Sequence, residues 1–164
     1  MFATISRRIT NSTGFLVCAG VLAYAWYLQF QEGLDPCPLC IFQRVAFIAM
    51  GLIFLIAAIH NAGRIGSRVY AVLLMLAGLA GAAVAGRHIW LQSLPPEQVP
   101  ECGPGLDYML EVFPLTDALR MAFTGSGECA EVDWVFLGLS MPVWSLLCFI
   151  GLITAGFVRN WVSD

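Results

Sequence analysis

Four long apolar runs dominate this chain, and they leave it one kind of place to fold. Helices are predicted over about 14–30, 41–59, 69–88 and 142–158, each near the ~17–25 residues that a helix needs to cross a bilayer's hydrocarbon core. Backbone polar groups find no water there, so an apolar run of this length satisfies them internally, as helix. Charged residues make up only 12% of the 164 positions, against ~25% in soluble domains, which excludes an ordinary soluble enzyme. The expected fold is an all-α membrane protein: a four-transmembrane-helix bundle forming a single membrane domain over 1–164. Loops at about 31–40 and 91–141 then lie on one side and both termini on the other.

The arginines orient the bundle. Arg7, Arg8, Arg64, Arg68 and Arg159 fall at the N-terminus, in the connection after the second helix, or near the C-terminus. By the positive-inside rule that side is cytoplasmic. All acidic residues except Asp164 lie in the other two loops, where Arg120 is the only basic residue well clear of the membrane. In a bacterium these loops face the periplasm, where disulfides persist, so a multi-pass inner-membrane protein with both termini cytoplasmic is expected. Nucleic acid is not an expected partner. Ser6-Arg7-Arg8 precedes the first apolar run in the manner of an export signal. The run is too long, however, and reaches Tyr24, Trp26 and Tyr27 without a small-residue cleavage site, so it is read as a retained helix. These aromatics, with Trp90, Trp144 and Trp161, suit the membrane-water interface.

The third helix carries small residues at fourfold spacing, Ala77, Gly81 and Ala85 on one track and Gly78, Ala82 and Gly86 on the next. Such tracks let neighbouring backbones approach, and packing within the bundle accounts for them. In the long outer loop, Leu106, Met109, Leu110 and Phe113 recur at i, i+3, i+4 and i+7, with Asp107 and Glu111 opposite. That spacing predicts a short amphipathic helix, followed after Pro114 by a second apolar segment, both lying along the membrane surface.

Against this background the cysteines stand out. Cys37 and Cys40 form a Cys-Pro-Leu-Cys turn at the outer end of the second helix, and Cys102 and Cys129 lie in the long outer loop. Two dithiol pairs on an oxidising face point to two-electron transfer by thiol-disulfide exchange. Pro38 suits an early helical position, where no amide hydrogen is needed, and Cys40 then falls in the first turn. The positive helix terminus favours a thiolate at Cys40, and Arg44, at i+4, places a guanidinium on the same face. An arginine central in a transmembrane segment costs ~2.5–3.5 kcal/mol on insertion scales, so Arg44 calls for a partner, and the Cys40 thiolate is the candidate. His88, at the outer end of the third helix, is placed to donate to a quinone oxygen. Glycine and proline around Cys102 and Cys129 are expected to leave both on mobile ends. Cys18 and Cys148, in mid-helix, read as small hydrophobes.

Two other classes compete. A cysteine-ligated zinc or copper site needs a second close pair, and Cys102 and Cys129 are too far apart in sequence to make one. A purely structural Cys102–Cys129 bridge would stabilise by roughly 3.5 kcal/mol. It leaves the tight Cys37–Cys40 pair unexplained, since so small a loop serves redox exchange better than stability.

Over nearly its whole length the chain resembles the DsbB family of bacterial disulfide-bond-forming membrane proteins. The resemblance rests on Cys37-Pro38-Leu39-Cys40-Ile41-Phe42-Gln43-Arg44 and on His88 followed by Leu91-Gln92. It rests also on Gly127-Glu128-Cys129-Ala130 running to Trp134, Phe136-Leu137-Gly138-Leu139-Ser140-Met141-Pro142 and Trp144. The DsbA–DsbB–quinone relay that keeps the periplasm oxidising is that family's role. The resemblance implies catalytic Cys37, Cys40, Cys102 and Cys129, with Cys102 forming the mixed disulfide with a DsbA-like periplasmic thiol oxidase. Exchange between Cys129 and Cys37 would free Cys40, and Cys40, Arg44 and His88 would bind ubiquinone or menaquinone. No metal is implied. The vitamin K epoxide reductase type also couples a four-helix bundle to quinone and thiols, but the Trp-x-Phe-Leu-Gly-Leu block speaks against it.

Overall fold

In the computed structural model, residues 6–99, 114, 116, 127–132 and 134–162 are described. Four helices carry the fold: α1 (Arg7–Gln31), α2 (Pro38–His60), α3 (Arg64–Gln92) and α4 (Met141–Val162). All four are long and apolar enough to cross a membrane. Three start well before the apolar runs read from the sequence: α1 at Arg7 rather than near residue 14, α2 at Pro38 rather than 41, and α3 at Arg64 rather than 69. Apolarity marks only the hydrocarbon core. The helical backbone continues into the headgroup layer, and the 29 residues of α3 reach about 44 Å at 1.5 Å per residue, the full thickness of a bilayer with its interfaces.

The helices form a ring in which α1 packs on α2, α2 on α3, α3 on α4 and α4 back on α1. Phe47, Met50 and Phe54 of α2 fill the centre with Leu74 of α3, Phe149 of α4 and Cys18 of α1. Phe47 and Phe149 stack with ring centroids 4.1 Å apart. The small residues of α3 admit α4 closely, but the two fourfold tracks merge into one face. Leu74, Gly78, Gly81, Ala85 and His88, spaced alternately by four and three, are buried, whereas Gly86 faces open space. A side chain at Gly78 would collide with Ile153, and one at Gly81 with Phe149. At the arginine-bearing end, Asn11 of α1 and Asn160 of α4 exchange two amide hydrogen bonds of 3.1 and 2.9 Å, both side chains buried.

Before α4 the chain makes a small antiparallel hairpin, β1 (Val135–Phe136) and β2 (Leu139–Ser140), where the sequence reading had only loop. Leu137 and Gly138 at its tip both have positive φ, 51° and 78°, the conformation of a tight two-residue turn. The Trp144 indole donates to the Phe136 carbonyl at 3.1 Å and ties the hairpin to the first turn of α4. The amphipathic segment expected around Leu106–Phe113, the apolar stretch after Pro114, Arg120 and Cys102 lie outside the described residues.

Candidate functional site

The Cys-Pro-Leu-Cys turn begins a helix. Cys37 is the N-cap of α2, Pro38 follows at the first helical position, and the Cys37 sulfur accepts the Cys40 backbone N–H at 3.4 Å. This is the role an N-cap serine or aspartate oxygen plays, so the helix terminus directs an amide hydrogen at Cys37 as well as favouring negative charge nearby. Cys37 Sγ and Cys40 Sγ are 3.0 Å apart.

Cys129 lies within a short 3₁₀ turn, Gly127–Cys129, and is wholly buried. The loop position that suggested a loose end is thus a buried one. Cys129 packs in one cluster with Cys37, Leu39 and Leu91, and Cys40 lies against the same cluster. Apolar packing by Leu39 and Leu91 overrides the looseness that the neighbouring glycines suggested. One amide holds the segment in place: Gln92 Nε2 donates to the Glu131 carbonyl at 3.3 Å, and Gln92 Oε1 accepts from Ser140 at 2.8 Å.

Arg44 does not spend its hydrogen bonds on Cys40, the partner expected from the sequence. Its guanidinium donates to Gln29 Oε1 at 2.5 Å and to the Ala25 carbonyl at 3.2 Å, both on α1. The outward half of α1 is near enough to meet a side chain that i+4 reasoning along α2 could not relate to it. His88 meets the dithiol as well as the cavity. Its Nε2 lies 3.9 Å from Cys37 Sγ, and its Nδ1 lies 3.1 Å from the Gln43 amide nitrogen.

Beside the dithiol, between α1, α2 and α4, is a cavity of about 750 Å³. Cys40, Arg44 and His88 line it together with Leu28, Phe47 and Pro142. Cys148, read from the sequence as an inert hydrophobe, lines it too. Apolar walls with a few convergent polar groups suit a flat ring bearing carbonyl oxygens and an apolar tail. The two thiols and the imidazole also offer three donor atoms within 4.8 Å of one another. Two thiolates on one tetrahedral ion with 2.3 Å bonds would stand about 3.8 Å apart. The 3.0 Å separation here is shorter, and it suits a dithiol about to close a disulfide rather than a metal centre.

The family model for "Disulfide bond formation protein DsbB" matches residues 7–158. The chain belongs to the DsbB family. It is 55% identical over 159 residues to disulfide bond formation protein B of Methylococcus capsulatus, covering 97% of each chain. It is 54% identical over 162 residues to that of Hahella chejuensis, covering 99% of this chain and 98% of the relative. The corresponding protein of Nitrosococcus oceani is 55% identical over 157 residues, covering 96% and 91%. With four membrane helices and a cysteine pair beside an apolar cavity, this member of the family is a multi-pass membrane thiol-disulfide oxidoreductase that uses quinone. Gln29, Gln43 and Gln92, each bonded to a group of the site, are the residues that sequence reasoning passed over; Gln43 and Gln92 fall inside the very motifs that carry the family resemblance.

Proposed function

We propose that this protein reoxidises a DsbA-like periplasmic dithiol protein through a Cys102–Cys129 disulfide and delivers the electrons to membrane quinone through Cys37 and Cys40. A partner thiolate attacks Cys102, forming a mixed disulfide and releasing Cys129 as the thiolate. The partner's second thiol resolves that bond and leaves oxidised, with Cys102 and Cys129 both reduced. Cys129 then attacks Cys37 of the Cys37–Cys40 disulfide, so that the Cys129–Cys37 bond forms and Cys40 departs with the electron pair. Cys102 attacks Cys129, restoring the outer disulfide and freeing Cys37.

The supporting observation is the asymmetry of the inner pair. Both thiols line the cavity, but Cys37 is buried in one cluster with Cys129, while Cys40 packs at the edge of that cluster and is the more exposed of the two. A quinone, ubiquinone or menaquinone, would take up two electrons and two protons there as the Cys37–Cys40 disulfide re-forms. Arg44 lends positive charge to the wall beside Cys40, and α1 fixes its position. His88 closes the wall on the α3 side. Cytoplasmic termini are supported by the arginines: Arg7 and Arg8 begin α1, Arg64 and Arg68 lie in the first turns of α3, and Arg159 lies in the last turn of α4.

Purified protein mixed with quinone and a reduced DsbA-like substrate tests this reading by quinone absorbance and substrate thiol titration. Both signals should change together in the wild type, and Cys40→Ser should abolish quinone reduction. Full quinone reduction by Cys40→Ser would remove Cys40 as the terminal donor.

A further inference from the structure

His88 occupies the buried stripe of α3, one turn beyond Ala85, and its ring is held from several sides. Gln43, itself buried on α2, brings its amide nitrogen to 3.1 Å from Nδ1. With the Gln43 amide nitrogen donating, Nδ1 carries the lone pair and the ring's single proton belongs on Nε2, which is the tautomer inferred here. Nε2 faces Cys37 Sγ at 3.9 Å, and the ring also meets the backbone of Cys129. His88 thus stands between the two cysteines that exchange. Arg87, its neighbour in sequence, is engaged elsewhere, over the Trp90 ring at 4.2 Å.

We propose that Gln43 is a positioning residue that locks His88 as the neutral Nε2–H tautomer, making His88 the hydrogen-bond donor that holds the Cys37 sulfur when it is released as a thiolate. The proposal rests on the Cys37 exchange step described above. In that step the Cys102 thiolate attacks Cys129 Sγ, the Cys102–Cys129 bond forms, the Cys129–Cys37 bond breaks, and the electron pair passes to Cys37. Two N–H groups then converge on that sulfur: His88 Nε2–H and the Cys40 backbone N–H at 3.4 Å. No proton leaves His88; the hydrogen bond alone stabilises the departing sulfur, and it is strong because the acceptor is charged. With the wrong tautomer a nitrogen lone pair would face the thiolate and repel it. His88 accordingly serves the sulfur rather than a quinone oxygen.

The chain has only two histidines, so two-bond ¹⁵N–¹H spectra of full-length, ¹⁵N-histidine-labelled protein, with and without His60→Gln, isolate the His88 signal. The reduced wild type should carry its ring proton on Nε2. Gln43→Met, similar in volume and without a donor, should populate the Nδ1–H form and slow turnover roughly tenfold or more, since a hydrogen bond to a charged group is at stake. Gln43 also lines the cavity, so the deciding readout is the ring tautomer, which general loosening of the cavity would not invert. A ring proton on Nδ1 in the wild type overturns the proposal without recourse to any variant, as does a Gln43→Met protein with unchanged tautomer and turnover. Cys37→Ala separates the two levels. If it turns over normally, the underlying exchange reading fails; if it is inactive while wild-type His88 is protonated on Nδ1, only the role of Gln43 and His88 fails.

Discussion

Arg44 of α2 is held by Gln29 of α1, whose Oε1 accepts from the guanidinium at 2.5 Å. With the Ala25 carbonyl as a second acceptor, the charge that a membrane helix could carry only at some cost is anchored at the cavity wall. Arg44→Met should therefore raise KM for quinone roughly tenfold, as expected for removing a charge-assisted hydrogen bond. Gln29→Leu, which keeps the charge and loosens its aim, should raise it roughly threefold. Steady-state kinetics with a short-chain quinone measure both. A larger effect from Gln29→Leu than from Arg44→Met would show that Gln29 does more than aim Arg44.

Close approach of α3 and α4 depends on two glycines. A Cβ at Gly81 would run into Phe149 and stand 2.9 Å from Ala46, so the helices cannot keep their separation. Gly81→Leu should destabilise the bundle by about 1–3 kcal/mol, the usual cost of overpacking, and should lower its thermal unfolding midpoint in detergent. Gly86 has nothing within 4 Å of its Cβ direction, so Gly86→Ala should be neutral or stabilising by up to about 1 kcal/mol through helix propensity. Equal loss in the two variants would contradict the packing face drawn here.

The Asn11–Asn160 pair joins α1 to α4 by two hydrogen bonds, and Asn160 also donates to the Gly156 carbonyl at 2.8 Å. Either asparagine alone, left opposite leucine, would strand a buried amide. Asn11→Leu or Asn160→Leu should each cost about 1–2 kcal/mol. The double variant should cost less than the sum, and a double-mutant cycle read by thermal unfolding gives the coupling directly.

The bundle was legible in the sequence because a bilayer demands long apolar helices, and the cysteines were legible because nothing else explains a tight Cys-x-x-C at a helix start. The mutual placement of side chains on different helices was not. Arg44 and Gln29 are 15 positions apart, and Gln43 and His88 are 45 apart, so no periodicity links them. The spacing of α3 did contain a usable signal: continuing the buried alternation of Leu74, Gly78, Gly81 and Ala85 reaches His88 and marks it as interior. The burial of Cys129 had a weaker one, because the leucines that cover it come from α2 and α3 rather than from its own loop.

Gln92 clasps the segment that carries Cys129. Its amide donates to the Glu131 carbonyl two residues beyond the cysteine and accepts from Ser140 at the end of β2, so one side chain spans the turn and the hairpin. If this clasp sets the approach of Cys129 to Cys37, then Gln92→Leu should slow exchange between the pairs by roughly three- to tenfold, the range expected for one or two neutral hydrogen bonds. Gln92 also lines the cavity, so exchange is read apart from quinone binding. Trapping the Cys37–Cys129 disulfide in a Cys40→Ser, Cys102→Ser background reads that approach without quinone turnover. Ser140→Ala, which removes only one of the two bonds, should give an intermediate trapping rate. Wild-type trapping in Gln92→Leu would mean that the apolar cluster of Leu39 and Leu91 holds Cys129 in place by itself.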